Sequence, residues 1–133
     1  MPEISCVIIT YNEAKNIERC LNSVLPISDE IIIVDSFSTD TTPEICKSHP
    51  KVKFFQRAFT SHGDQKNYGI SLAENDYILS LDADELLSPE LLNHMCLNKD
   101  KFTKMAYRFR RLNHIGNEAI NYGLWYPDEK IRL

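Results

Sequence analysis

The sequence predicts an α/β fold of three layers, built on a mostly parallel β-sheet. Short runs of apolar and β-branched residues stand at positions 4–9, 31–34 and 77–81. Nearly continuous runs of this kind are typical of strands that are covered on both faces in a parallel sheet. Segments with helical spacing separate the runs, as the crossovers between parallel strands require. The predicted order of elements is therefore βαβαβαβ.

The first two helices are indicated by apolar spacing and by capping residues. After the second strand, a Thr42 cap precedes Pro43 in the first turn, and Pro50 ends the helix. After the first strand, Pro26 closes a stretch that begins behind an Asn12 cap. The apolar residues that recur there at helical spacing are Ile17, Cys20, Leu21, Val24 and Leu25.

A further strand, a third helix and an extended C-terminal segment complete the prediction. The strand at residues 52–56 leads into a helix over residues 61–74, which returns to the third apolar run. Beyond this run the chain becomes rich in aromatic and basic side chains, which indicates extended segments with a turn near Gly116 and Asn117. Residues 130–133 resemble the start of another strand.

Length, charge and cysteine usage narrow the class of protein. With 133 residues, of which 43% are hydrophobic, one domain with its own core is expected. A net charge of -4 argues against a protein that tracks nucleic-acid phosphates. No apolar run approaches the roughly 18 residues of a membrane-spanning helix and no signal peptide is evident, so a cytoplasmic location is expected. The 4 cysteines show neither metal-site nor disulfide spacing.

Polar side chains follow each of the three apolar runs at the point where the strand ends. The carboxyl ends of parallel strands meet at one edge of a sheet, which is where open α/β sheets bind ligands. We therefore expect these side chains to converge on one cleft. The three groups are Thr10-Tyr11-Asn12-Glu13, Asp35-Ser36-Phe37-Ser38 and Asp82-Ala83-Asp84-Glu85.

Asp82 and Asp84 are the clearest candidates for a metal site. Carboxylates at positions i and i+2 past a strand can address one hard cation, Mg²⁺ or Mn²⁺, which keeps its other positions for water and substrate phosphates. Glu85 is expected to point elsewhere. An alternative is that the aspartates cap the helix that starts near Pro89, and Asp35 alone is equally explained as a turn residue. The chain has neither a P-loop nor a dinucleotide-binding glycine motif.

Three blocks of the sequence, in order, resemble the family 2 glycosyltransferases of GT-A fold. The stretch "SCVIITYNEAKNIERCLNSV" is similar to that family's opening block, "IIIVDSFSTDTT" to its second, and "QKNYGISLAENDYILSLDADE" to its third, which ends in the DxD motif. The resemblance covers nearly the whole chain. It implies that the chain forms the Rossmann-like nucleotide-binding half of a GT-A domain. The implied activity is that of an inverting hexosyltransferase whose donor is a nucleotide sugar, namely a UDP-linked sugar. The implied cofactor is Mg²⁺ or Mn²⁺.

The resemblance implies a role for each matching residue of this chain. Asp35 would hydrogen-bond the base, and Asp82 and Asp84 would face the ribose and the metal-bridged diphosphate. The chain departs from the family at Phe37, where glycine is common, so the loop after Asp35 is expected to lie differently. The implied nucleotide-binding residues are Thr10, Tyr11, Glu13, Asp35, Ser38, Lys66 and Asp82, and the implied metal ligands are Asp84 and Asp82.

The resemblance also divides the single domain into two parts. Residues 1–100 would bind the nucleotide sugar, and residues 101–133 would begin the acceptor side. The stretch "INYGLWYPDEKIRL" resembles enzymes that build lipopolysaccharide cores, which implies a glycan or lipid-linked acceptor and a place at the inner face of the cytoplasmic membrane. The acceptor-side candidates are Trp125, Tyr126 and Arg110. Core packing explains the aromatic residues equally well, and a charged strand edge explains the arginine.

No late carboxylate stands in a motif for a general base, so the base is expected beyond Leu133 and the domain is expected to be truncated at its C-terminus. A nucleotide-binding GT-A-like domain or fragment without catalytic activity of its own stays open as the alternative. A phosphatase with an aspartate nucleophile would need a hydroxyl at position 86, where this chain has Leu86.

Overall fold

The computed structural model describes residues 3–75, 77–98, 108–111, 113–115, 118–120 and 128–131. Contacts divide the chain into two compact units, Met1–Phe102 and Thr103–Leu133. The first unit has the predicted order of elements, and none of its described helices is long and apolar enough to cross a membrane. Its elements are β1 (Ile4–Thr10), α1 (Ile17–Val24), β2 (Glu30–Asp35), α2 (Thr42–Lys47), β3 (Val52–Gln56), α3 (His62–Leu72), β4 (Tyr77–Asp82) and α4 (Pro89–Asn98).

The four strands form one parallel sheet in the order β3-β2-β1-β4. Every residue of β1 and β2 is buried, which confirms that these apolar runs are covered on both faces. The register aligns the strand ends, since Thr10 pairs with Asp35 and Ile9 pairs with Asp82. The carboxyl ends of β2, β1 and β4 therefore lie side by side at one edge of the sheet.

Helices cover the two faces of the sheet and make the fold three-layered, as the sequence predicts. The chain moves from β1 to β3 in one direction and returns to β4 in the other, so right-handed crossovers put α3 on the face opposite α1 and α2. Helix α3 contacts β1 and β2, whereas α1 contacts α2 and α4. Side chains of the two central strands pack under Tyr68 and Leu72 of α3; they are Val7, Ile9, Ile32 and Val34.

The starts of two helices show where the capping predictions hold and where they do not. Helix α3 follows Ser61, whose hydroxyl oxygen accepts a hydrogen bond of 3.0 Å from the backbone N–H of Asp64, as the predicted boundary requires. Helix α1 starts later than predicted, at Ile17 behind Asn16. The Asn12 cap is therefore wrong, because Asn12 has a φ of 50° and belongs to the loop after β1.

The second unit consists of short antiparallel strand pairs in the part that the structure describes. This confirms the extended segments that the sequence predicts after the parallel sheet. The predicted turn residues Gly116 and Asn117 lie outside the described residues. The pairs are β5 (Arg108–Arg111) with β8 (Asp128–Ile131) and β6 (Asn113–Ile115) with β7 (Glu118–Ile120).

All four cysteines have free thiols, in agreement with the sequence prediction that no disulfide framework exists. Cys6, Cys20 and Cys46 are buried, whereas Cys96 is exposed on α4. Burial raises the pKa of Cys6 and of Cys46 to about 12, and it also raises the pKa of Cys20. The three buried cysteines are therefore protonated core residues.

Candidate functional site

A cleft of about 550 Å³ opens at the carboxyl edge of the sheet. This volume falls in the range of small-molecule sites, roughly 300–1,000 Å³. Five of the implied nucleotide-binding and metal-binding residues line the cleft, whereas Asp35, Ser38 and Lys66 do not. The five are Thr10, Tyr11, Glu13, Asp82 and Asp84.

Asp82, at the end of β4, finds a positive partner within the protein. Its Oδ1 atom lies 3.4 Å from the Nζ atom of Lys66 on α3. The same oxygen is buried and has no hydrogen-bond partner among the described residues, because 3.4 Å suits an ion pair better than a hydrogen bond. Asp84 lies two residues further along and is exposed in the cleft. The protein thus balances one of the two carboxylates and leaves Asp84 facing solvent.

The helix after this pair has its own cap. The hydroxyl oxygen of Ser88 accepts a hydrogen bond of 3.1 Å from the backbone N–H of Leu91, in the first turn of α4. Glu85 turns back toward the strand, where its Oε1 accepts a 2.9 Å hydrogen bond from the backbone N–H of Asp82. The alternative in which Asp82 and Asp84 cap α4 is therefore wrong.

The carboxylates of Asp82 and Asp84 fit a cation whose other ligands are water molecules and substrate phosphates. Carboxylate oxygens suit Mg²⁺ and Mn²⁺, and Mg²⁺ is commonly held by one or two carboxylates together with water and substrate phosphates. Within the described ranges, no group of three or more His, Cys, Asp or Glu residues could enclose a metal ion. The exposed Asp84 and the Oδ1 of Asp82, which accepts no hydrogen bond from the described residues, are consistent with such an open site.

Asp35 is fully buried at the end of β2 and is held by protein groups. Its Oδ1 accepts a 2.6 Å hydrogen bond from the hydroxyl of Ser38, and its Oδ2 accepts bonds from the backbone N–H of Ser38 at 2.8 Å and from Gln56 at 3.2 Å. The hydroxyl oxygen of Ser38 also accepts a bond of 2.8 Å from the backbone N–H of Asn12. Asp35 and Ser38 therefore join the loop after β2 to the loop after β1.

Further side chains after β2 hold the β1 loop in place. The backbone N–H of Glu13 donates to the hydroxyl oxygen of Thr42 at 3.0 Å, and that of Ala14 donates to Asp40 at 3.2 Å. Thr42 was predicted as a helix cap, but the cap position belongs to Thr41. Hydrogen bonds from the Thr42 hydroxyl and backbone N–H lower the pKa of Asp40 below its ordinary value of 3.8. The polar run after β2 thus shapes the rim of the cleft.

The backbone conformation at Phe37 explains why glycine is common in the family at this position of the loop. Its φ is 60°, in the left-handed region that glycine adopts without steric cost. A residue with a Cβ atom is strained there by roughly 1–2 kcal/mol. The departure from the family pattern at Phe37 therefore takes the form of backbone strain at this one residue.

We expect Phe37→Gly to raise the free energy of unfolding by about 0.5–1 kcal/mol, because relief of the strain exceeds the added freedom of the unfolded chain. Urea unfolding of the two proteins measures the difference. Phe37→Ala is the matched control, since it removes the half-exposed ring but keeps the Cβ atom. Equal gains in both variants would show that the ring, and not the backbone, is the source.

Ser36, a member of the predicted polar group after β2, lines the cleft. Three residues of the cleft wall were not predicted from the sequence; they come from the segment after β3 and are Phe59, His62 and Gln65. The signal that could have found these three is the strand-end rule itself, because β3 is parallel to its neighbours and its following loop reaches the same edge.

Gln65 is the most buried of these three residues, with no exposed surface. Its Nε2 donates to the hydroxyl oxygen of Ser36 at 3.1 Å and to the carbonyl oxygen of Arg57 at 3.4 Å. Gln65 therefore ties the start of α3 to the end of β2, beside the cleft.

Two of the acceptor-side predictions fall outside the described residues, namely Trp125 and Tyr126. Arg110 lies in β5, where its register partner in β8 is Glu129.

A parallel sheet whose central strands end in a carboxylate-lined cleft is the arrangement of nucleotide-binding α/β domains. The particular family follows from comparison with known proteins. The family model described as "Glycosyl transferase family 2" matches residues 5–122, so this chain belongs to glycosyltransferase family 2. Its fold is that of the GT-A glycosyltransferases.

Curated relatives and solved structures agree with this assignment. An uncharacterized glycosyltransferase of Rickettsia bellii is 41% identical over 115 residues, which are 83% of this chain and 38% of the relative. The SPbeta prophage-derived glycosyltransferase SunS of Bacillus subtilis is 40% identical over 107 residues, 79% of this chain and 24% of SunS. The chain thus spans less than half the length of these relatives.

Among solved structures, S. aureus TarS 1-349 has a TM-score of 0.68 at 23% identity, over 93% of this chain and 40% of that one. Glucosyl-3-phosphoglycerate synthase from Mycobacterium tuberculosis, in complex with Mn²⁺, UDP and glucosyl-3-phosphoglycerate, has a TM-score of 0.61 at 23% identity, over 77% of this chain and 40% of that one. Both likenesses concern the fold.

Proposed function

We propose that this chain is the donor-binding part of an inverting, metal-dependent glycosyltransferase of the hexosyltransferase type that uses a UDP-linked sugar. The observation that carries the proposal is the pair Asp82 and Asp84 in the wall of a cleft formed at the ends of three parallel strands. Membership of glycosyltransferase family 2 supports the reaction class. A structure of similar fold was solved with Mn²⁺ and UDP, which supports the choice of donor and cation.

The proposed donor site assigns the nucleotide to the β1 and β2 ends and the diphosphate to the β4 end. Asp84, with Asp82, would hold Mg²⁺ or Mn²⁺ against the diphosphate, and Lys66 adds positive charge 3.4 Å from Asp82. Thr10, Tyr11 and Glu13 line the nucleotide side. Asp35 and Ser38 support the nucleotide side by joining the loops after β1 and β2. A hydrogen bond between Asp35 and the base stays a prediction.

In the proposed reaction an acceptor hydroxyl attacks the anomeric carbon, the bond from that carbon to the diphosphate oxygen breaks, and the diphosphate leaves with the electron pair. The cation would supply Lewis-acid stabilisation of this leaving group. The acceptor proton passes to a general base, which we place beyond Leu133. This placement is supported by the share of the relatives that the chain spans, 38% for the Rickettsia bellii protein.

The proposed acceptor is a glycan or a lipid-linked saccharide in the synthesis of cell-surface polysaccharide or lipopolysaccharide. Residues 101–133 would begin its binding side, with Arg110, Trp125 and Tyr126 as contacts. The resemblance of "INYGLWYPDEKIRL" to lipopolysaccharide-core enzymes supports this assignment. We propose that the enzyme meets this acceptor in the cytoplasm, at the inner face of the membrane.

Calorimetric titration of UDP into the 133-residue chain tests the donor site. We expect binding at least about tenfold tighter with Mn²⁺ than with a chelator, because the cation bridges the carboxylates and the diphosphate. UDP binding that is equal under both conditions would contradict a metal-dependent donor site.

Incubation with a UDP-linked sugar and isolated cell-surface glycan distinguishes a glycosyltransferase from a domain that only binds nucleotide. Donor binding without transfer is expected from the chain alone, since the base is placed outside it. Transfer by the chain would show that the base lies within residues 1–133. Transfer by a longer protein of the same gene would exclude the alternative of a domain that only binds nucleotide.

A further inference from the structure

Two aromatic rings in the wall of the cleft are left open to solvent. Tyr11 is 55% exposed and Phe59 is 49% exposed, and both line the cavity. Large exposed apolar residues that stand singly are normal on protein surfaces. Two that line the same cavity instead indicate a surface that a ligand covers. A flat, partly apolar ring is the ligand that fits aromatic walls of this kind.

Phe59 is restrained in the loop by its neighbour His62. The two rings have centroids 5.2 Å apart and an angle of 73° between their planes. This is the edge-to-face arrangement that aromatic pairs prefer, within the usual centroid separation of roughly 4.5–7 Å. The contact orients the Phe59 side chain without stacking a second ring against it.

The loop that carries Phe59 is held at the β2 side of the cleft. The backbone N–H of Arg57 donates to the carbonyl oxygen of Asp35 at 2.9 Å, just before the loop. Just after it, Gln65 donates to Ser36 at 3.1 Å. Both ends of the segment are therefore fastened to the end of β2.

Asp84 follows β4, on the other side of β1. Strands β2 and β4 are two strand spacings apart, roughly 4.8 Å each. This separation is comparable to the distance between the base and the diphosphate within one nucleotide. If the diphosphate faces Asp84, the base falls on the side of the cleft where Phe59 lies.

We propose that Phe59, oriented by His62, stacks on the base of the bound nucleotide. The assignment rests on the proposed donor site and adds a positioning residue on the segment after β3. Stacking on an aromatic ring tolerates any base, because every base has a π-face. Phe59 therefore contributes to the affinity for the nucleotide and not to the choice between pyrimidines.

Titration of Phe59→Ala with UDP, with CDP and with inorganic pyrophosphate, all in Mn²⁺, tests the assignment. We expect UDP and CDP each to bind about tenfold more weakly than to the unaltered chain, and pyrophosphate, which has no base, to bind equally well. Phe59→Trp restores the affinity for both nucleotides. Phe37→Ala is the matched control, because Phe37 is 53% exposed but lies outside the cleft lining, and it is expected to change none of the three affinities.

Unchanged UDP affinity in Phe59→Ala would overturn the assignment. A loss that extends equally to pyrophosphate would also overturn it, because Phe59 would then act through the shape of the loop. If the unaltered chain binds neither UDP nor pyrophosphate, the proposed donor site fails and the stacking assignment fails with it. Phe59→Leu, which keeps the apolar volume without a π-face, repeats the test should the alanine variant fold poorly.

Discussion

Replacing Asp84 with asparagine is expected to weaken UDP binding in Mn²⁺ by at least about 100-fold, because loss of a metal ligand exceeds the 10- to 100-fold effect typical of outer groups around a metal. Asp84 is exposed in the cleft, whereas Asp82 is paired with Lys66 at 3.4 Å. The exposed carboxylate is therefore the group most available to a cation. Calorimetric titration of UDP in Mn²⁺ measures the loss.

The same titration with a chelator should remove the advantage of the unaltered chain over Asp84→Asn. Without a cation, the Asp84 carboxylate repels the diphosphate, so Asp84→Asn should bind UDP at least as well as the unaltered chain. Glu90→Gln is the matched control, because it removes one exposed carboxylate from the first turn of α4 and should change neither result. A variant that binds UDP more weakly under both conditions would indicate damage to the cleft and not loss of a metal ligand.

Replacing Gly69 with alanine is expected to destabilise the fold by about 1–3 kcal/mol, the usual cost of an overpacked core. Gly69 lies in α3 where the helix crosses the sheet. An added Cβ atom would be 2.5 Å from Cγ1 of Val7 and 3.3 Å from Cγ2 of Val34. Both valines belong to buried central strands, so neither can move aside freely. Urea unfolding measures the change.

Helix α3 contains a second glycine that serves as the control. An added Cβ atom at Gly63 meets nothing within 4 Å, so Gly63→Ala should be neutral or stabilising by up to about 1 kcal/mol. Val7→Ala removes the methyl group that clashes, and the double variant should lose less stability than the sum of the single changes. Equal stability of the Gly63→Ala and Gly69→Ala variants would contradict the close approach of helix and sheet.

Much of the fold was predictable because its signals are local. The apolar runs of β1, β2 and β4 are buried on at least one face and carry their pattern in consecutive residues. The signal for the start of α3 was also local, since the hydroxyl oxygen of Ser61 caps the backbone N–H of Asp64, three residues later. The start of α1 was not, because Asn12 has both an intrinsic preference for caps and a partner far along the chain. Its Oδ1 accepts a 2.7 Å hydrogen bond from the backbone N–H of Thr39.

The candidate site was predictable in part for the same reason. The strand-end rule found the polar groups at the ends of β1, β2 and β4, and seven of their residues line the cleft. It was not applied to β3, whose apolar run is shorter and only partly buried. Phe59, His62 and Gln65 were missed on that account, and no single residue among them carries a motif that would single it out.

The sequence by itself determined the order of the elements, the parallel sheet and the edge at which polar groups gather, because periodicity and strand ends are properties of neighbouring residues. Only the tertiary structure decided that Lys66 meets Asp82, that Asp35 turns toward Ser38 and that Phe59 faces the cleft. The contact of Lys66 with Asp82 depends on how closely α3 approaches the sheet, because Lys66 lies on α3. That distance is set by packing at Gly69 against Val7, 62 residues apart in the 133-residue chain, and no local pattern records it.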